Sequence, residues 1–103
     1  MPAIKSFEDL KIWQEGHRLT LEIHRVSIDF PVEEGYGLTS QLCRAAVSVP
    51  QNIAEAKGRS SAKDYCRFFW IARGSRQERL SLLILARDLG FVAREQSSDL
   101  LVR

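Results

Sequence analysis

The sequence predicts an all-α chain built as a small bundle, with long first and third helices, a proline-kinked second helix and a short fourth. Three observations predict it. Apolar residues recur at spacings of three and four along successive blocks of the chain. Those blocks are separated by Phe30-Pro31, Lys57-Gly58 and Gly90, residues that end helices. Two serines stand three residues ahead of an acid, Ser6 before Asp9 and Ser61 before Asp64, the spacing of a helix-opening capping box.

The first helix is expected from about Phe7 to Phe30. On a helical wheel Ile12, Leu19, Ile23, Val26 and Phe30 make one apolar stripe, and Leu10, Trp13, His17, Leu21, His24 and Ile28 make a second, nearly opposite. Between them runs the polar row Lys11, Glu15, Arg18, Glu22, Arg25 and Asp29, whose alternating signs suit a solvent face. Two apolar stripes need cover on two sides, so this helix predicts self-assembly. The second helix is expected from about Leu38 to Ala56, with Leu38, Leu42, Ala45, Ala46, Val49 and Ile53 as its core stripe. Pro50 lies inside it and removes one backbone hydrogen bond, freeing a carbonyl near Ala46. Its polar face carries Gln41, Arg44, Ser48, Gln51, Asn52 and Glu55.

The third helix is expected from about Ala62 to Leu89, with Gly90 placed for a left-handed cap. Its main stripe is Tyr65, Phe68, Ala72, Ser75, Leu82, Leu83 and Ala86, and a second is Cys66, Trp70, Leu80 and Ile84. Arg79 interrupts the main stripe. An unpaired buried guanidinium is costly, so Arg79 is expected to reach an acid, Glu55 or Glu78, or solvent. The last helix runs from Arg94 to Arg103.

Composition narrows the function. At 103 residues, 45% apolar and 27% charged, the chain is globular and of one-domain size, spanning 1–103, and no apolar run reaches the length of a membrane span. The beginning of the chain lacks the apolar stretch of a secretory signal, so a cytoplasmic location is expected. Cys43 and Cys66 are expected to be reduced, buried small apolar residues. His17 and His24 have no further ligand on their face, Gly35-Tyr36-Gly37 lacks the context of a phosphate loop, and no nucleophile, base and acid fall together. No enzyme activity, metal or cofactor is therefore expected.

Charge is unevenly distributed. Residues 1–56 hold five Lys/Arg against eight Asp/Glu, whereas 57–103 hold ten against five, and eleven of the fifteen basic residues are Arg. The run Lys57 to Arg79 concentrates seven cations against two acids, which suits phosphate.

The strings FEDLKIWQEGHRL, FPVEEGYGLTSQLCRAAVSVPQNIAEAKGR and FFWIARGSRQERLSLLILARDLGF resemble the four-helix bundle family of proteins encoded by intervening sequences in 23S ribosomal RNA genes, which includes a similar accessory protein of diversity-generating retroelements. The resemblance covers about Phe7 to Val92 and implies an up-and-down four-helix bundle that forms a homopentamer and associates with nucleic acid. Its motif positions here are Gln41, Arg44, Ser48, Asn52, Glu55, Gly74, Ser75 and Glu78. Ala56 replaces a customary glycine, Arg76 and Arg79 replace customary apolar residues, and the fourth helix is shorter than usual.

These readings converge on a non-enzymatic oligomeric module that binds RNA or DNA through an Arg-rich surface. The alternative is a protein-interaction scaffold that takes a partner chain and no nucleic acid. The expected phosphate contacts are Lys57, Arg59, Lys63 and Arg67, treated as successive turns of one helical face clear of Phe68. Arg44 or Arg79 is expected to join Asn52 and Glu55 in a polar network beneath the proline kink, satisfying the freed carbonyl. Trp13, His17, His24, Trp70, Leu80 and Ile84 are expected at the subunit interface.

Overall fold

A computed structural model describes residues 6–101, which leaves both ends of the expected domain, including Arg103 at the close of the fourth helix, outside the described residues. Those residues form α1 (Lys11–Ser27), α2 (Leu38–Lys57), α3 (Ala62–Asp88) and α4 (Arg94–Leu101), with no strand among them. The fold is an all-α four-helix bundle in which α2 packs against both α1 and α3 and α4 folds back on α3. No helix among the described residues is long and apolar enough to cross a membrane.

The first helix is shorter than its apolar period predicts. Ser6 and Asp9 do form a capping box, with the Ser6 hydroxyl accepting from the Glu8 N–H at 3.3 Å and the Asp9 carboxylate accepting from the Ser6 N–H at 3.3 Å. That box closes a single 3₁₀ turn, Phe7–Asp9, and extended Leu10 separates the turn from α1. Two side chains fasten the turn to α1: the Trp13 ring meets Phe7 edge-on at 5.1 Å, and the Gln14 amide donates to the Glu8 carbonyl at 2.8 Å. At its other end α1 stops at Ser27, and a tight turn swings Phe30 into the core, where it lies 5.8 Å from the ring of Phe91.

Every residue of the expected α2 stripe is buried. The proline effect occurs as expected, but its remedy comes from another helix: the hydroxyl of Thr20 on α1 serves the carbonyl of Ala46. Gly16 of α1 lies beside Pro50, where a Cβ would stand 3.4 Å from Cδ of Pro50.

Helix α3 opens on Ser61, whose hydroxyl accepts from the Asp64 N–H at 3.1 Å. It closes in a Schellman motif. Gly90 adopts φ +81°, its N–H donates to Arg87 and the Phe91 N–H donates to Ala86, so two carbonyls of the last turn are satisfied.

The interior is uneven along the bundle. At the end where α4 lies, Leu19, Ile23, Leu42, Leu83, Ala86, Val92 and Leu100 share one core. At the other end Val49, Ile53 and Ala72 form a smaller cluster, backed by Leu10, Trp13 and Phe69. Nothing among the described residues covers the seam between α1 and α3 there, which leaves Ile12, expected in the core stripe, 49% exposed. Tyr65 is likewise exposed on the stripe that was to bury it. Both cysteines are free thiols, but Cys66 is exposed rather than buried and Cys43 is half-buried against Ser27.

Candidate functional site

The α2–α3 corner gathers the chain's cations. Gly58 ends α2, and its N–H together with that of Arg59 caps the carbonyls of Glu55 and Ala56 at 3.1 Å each. The chain therefore leaves the helix before Arg59. Arg59, Lys63 and Arg67 are not three turns of one face, because α3 begins only at Ala62. They come together by a different route.

The guanidinium carbon of Arg59 lies 4.6 Å from the centroid of Phe68, and that of Arg67 lies 4.9 Å from the same ring. Phe68 thus supports the cations, whereas the wheel placed them away from it. The negative face of an aromatic ring attracts cations, and this attraction opposes the repulsion between two guanidiniums sharing one support. Two acids assist: Glu55 meets Arg59 at 2.8 Å, and Asp64 stands 3.9 Å from Arg67. Both pairs are about half-exposed, so solvent screens them and each contributes little to stability. Lys57 and Lys63 are exposed beside the pair. The corner is a cationic surface with two of its four charges locally balanced.

Further along α3, the Arg73 guanidinium lies over the exposed Trp70 ring at 5.3 Å. Gly74 meets nothing within 4 Å, so the monomer fold gives this motif position no packing role.

The polar network differs from its expected membership. Asn52 donates to the Ser48 carbonyl at 2.7 Å and to the Ser48 hydroxyl at 2.9 Å, and that hydroxyl bonds Ser75 of α3 at 2.7 Å. Of the four expected members only Asn52 takes part. Glu55 is drawn outward by Arg59, four residues on, and Arg44 points to solvent. Arg79 is 1% exposed, with buried Nε and Nη1 that have no hydrogen-bond partner among the described residues. Neither Glu55 nor Glu78 reaches it. Burial, and then the charge of Arg76, push its pKa below the ordinary arginine value. A guanidinium stays protonated at neutral pH all the same, so the buried group is a cation.

The expected interface residues separate into two groups. Trp13 is committed inside the chain, half-buried against the Val49, Ile53 and Ala72 core, with the His17 ring stacked on it at 4.7 Å. Trp70 and Ile84 are exposed, Leu80 is half-buried, and exposed His24 bonds the Thr20 carbonyl through Nδ1 at 2.9 Å. Leu21 and Ile28 extend the apolar surface of α1.

Periodicity missed Thr20, Phe68 and the Ser48–Ser75 link as structural partners. The available signal was chemical: a hydroxyl on α1, which a wheel of apolar positions passes over, and an aromatic near two arginines, which the wheel counts only as core.

Fold and surface together define an all-helical bundle whose polar chemistry is concentrated in arginines. The sequence profile of the family described as 23S rRNA-intervening sequence protein matches residues 8–103, and the chain belongs to that family. No curated protein matches it.

Proposed function

We propose that this chain is a non-enzymatic module that assembles with itself and associates with RNA or DNA through the α2–α3 corner. The observation that carries the reading is the pair Arg59 and Arg67 held on Phe68, flanked by Lys57 and Lys63. A supported arginine pair attracts phosphate and loses little further side-chain freedom on binding. Nothing in this arrangement selects a base, so the expected association follows the backbone rather than the sequence. The family's description, with its reference to ribosomal RNA, agrees with such a partner.

Self-assembly rests on apolar surface that a lone chain leaves wet. Trp70 is 65% exposed and Ile28 79%, with Leu21 and Ile84 each above 40%. These residues lie on α1, at its C-cap and on α3, and a symmetric homopentamer would cover them while repeating the cationic corner around a ring. The same surfaces support the second reading, a scaffold for a partner protein without nucleic acid.

The test is a triple charge reversal, Arg59→Glu, Lys63→Glu and Arg67→Glu, assayed against RNA and DNA at two salt concentrations. Binding should weaken for all sequences alike, and the slope of log affinity against log salt should flatten by roughly 2–3 for the lost phosphate contacts. Unchanged affinity with the assembly intact would overturn the corner as the site and favour the scaffold. A mass in solution of 11.7 kDa at micromolar concentration would overturn self-assembly.

A further inference from the structure

Tyr65 is 40% exposed, although its apolar spacing places it in the main stripe of α3. Its N–H donates to the Ser61 carbonyl at 3.0 Å, so the residue sits in the hydrogen-bonded opening turns of the helix. On one side its ring meets Phe69, with centroids 4.9 Å apart and planes tilted by 44°. Phe69 is half-buried against Val49, Ile53 and Ala72, so the Tyr65 ring leans on a fixed support. Much of the residue still faces solvent.

The cations of the α2–α3 corner stand beside this ring. In an α-helix residues three apart are neighbours, with Cβ atoms about 5–6 Å from each other, and side chains lean toward the amino-terminal end. Phe68 is therefore one turn from Tyr65 and leans back toward its level. The guanidiniums of Arg59 and Arg67 lie over Phe68 at 4.6 and 4.9 Å, and both side chains are open to solvent. A phosphate held there lies within about one helical turn of the Tyr65 ring. The sugar of a single nucleotide bridges a gap of that kind between its phosphate and its base. Trp70 is more exposed, but five residues on it lies about 140° around the helix from Tyr65. It belongs to the surface that self-assembly would cover, and Tyr65 does not.

We propose that the α2–α3 corner takes single-stranded nucleic acid, with an unpaired base stacked on Tyr65 while Arg59 and Arg67 hold the adjoining phosphates. The role of Tyr65 rests on the corner being a phosphate site, and it adds the strandedness of the partner. In a duplex the flat faces of the bases are covered by their neighbours, so a protein surface meets only phosphates, sugars and base edges. In a single strand those faces are open, and any base can stack on an aromatic ring. The arginines serve both forms alike, whereas the ring serves only the single strand. A tyrosine already leaning on Phe69 suits this role, because it offers a broad flat contact while only two side-chain torsions need be fixed.

The experiment uses the full chain and four labelled probes of one length: a single-stranded RNA of mixed sequence, the matching single-stranded DNA, the DNA duplex, and a DNA strand in which every base is replaced by an abasic site. Fluorescence anisotropy is read at one fixed salt concentration. The wild type should bind each intact single strand at least about fivefold tighter than the abasic strand, the low end of what stacking one base contributes. Tyr65→Leu, which keeps an apolar contact with Phe69, should bind intact and abasic strands alike and leave the duplex affinity unchanged. Tyr65→Phe should retain the wild-type preference. Strands carrying 5-iodouracil should cross-link to Tyr65 on irradiation. Equal binding of intact and abasic strands by the wild type, or equal losses on single strand and duplex in Tyr65→Leu, overturns the stacking role and leaves the corner standing as a phosphate site. A cross-link at Trp70 in place of Tyr65 overturns that role too. Absence of binding to every probe overturns the corner itself as a nucleic-acid site, and the stacking role falls with it.

Discussion

The hydroxyl of Thr20 on α1 lies 3.0 Å from the carbonyl oxygen of Ala46 on α2, the acceptor that Pro50 deprives of its in-helix donor. The same hydroxyl stands 2.8 Å from the Gly16 carbonyl of its own helix, so one proton is shared between a local and a distant acceptor. Thr20→Val keeps the shape and removes the donor. Leaving a buried carbonyl unserved costs about 1–3 kcal/mol, and about 4–8 °C of Tm follows per kcal/mol in a domain of this size. Pro50→Ala restores a backbone N–H to the Ala46 carbonyl. The cost of Thr20→Val should then shrink by at least half in the Pro50→Ala background, read as a double-mutant cycle in urea at fixed protein concentration. Strictly additive losses would show that Thr20 acts only as a spacer.

That bond also marks where legibility in the sequence ends. The α2 stripe and the caps at Ser61 and Gly90 depend on neighbours within one or two turns, and each occurs as its spacing predicts. The carbonyl freed by Pro50 was foreseeable too. Its donor is 26 residues away, and no local period connects Thr20 with Ala46. The candidate corner divides in the same manner. Its charge run is visible in the sequence, but the support by Phe68 depends on the chain leaving α2 at Gly58, so that Arg59 reaches a ring on the next helix. Trp13 reads from the sequence as an interface residue because a wheel shows two stripes and cannot say which of them the chain's own Phe7 and Val49 will meet.

A buried guanidinium without a partner among the described residues makes Arg79 a liability in the fold. Arg79→Met keeps the length and apolar stem of the side chain while removing a charge whose Nε and Nη1 have no hydrogen-bond partner among the described residues. Exchange of a buried ionic group for an apolar one of similar volume is stabilising by about 1–4 kcal/mol in favourable cases. The variant should therefore melt higher than the wild type by at least several degrees, measured by circular dichroism without added ligand. A lower Tm would mean that Arg79 is served by water or that its stem packs in a way Met cannot reproduce.

Asp88 provides the acid-side signature. The side chain of Arg87 donates to its carboxylate at 3.0 Å, and this bond, opposed by slight desolvation and aided by the charges of Arg87 and Arg94, lowers its pKa from the ordinary aspartate value. A carboxyl with a depressed folded-state pKa stabilises the fold above its unfolded pKa of about 3.9 and loses that contribution as pH falls through the folded value. The stability gap between wild type and Asp88→Asn should be constant from neutral pH down to about 5 and close below 4. Carbon-detected NMR titration should place the Asp88 midpoint below that of exposed aspartates. A midpoint at or above theirs would mean that Arg87 turns away in solution.

Phe68 separates the support of the cationic corner from its charge. Phe68→Leu leaves Lys57, Arg59, Lys63 and Arg67 in place but removes the ring under both guanidiniums. Each cation–ring contact at an exposed site contributes about 0.5–1 kcal/mol. If the paired arginines meet phosphate in the conformation the ring holds, their release should weaken RNA and DNA binding about five- to thirtyfold, the range that corresponds to two such contacts. The salt slope should stay unchanged, because it counts the cations that meet phosphate and all four are retained. Charge reversal at Arg59 or Arg67 alone should do the opposite and flatten the slope by about 1 per residue. The two measurements together distinguish a pre-organised phosphate site from a diffuse positive surface. On a diffuse surface Phe68→Leu would leave affinity as well as slope untouched, and the shared ring would then serve only to join the end of α2 to the start of α3.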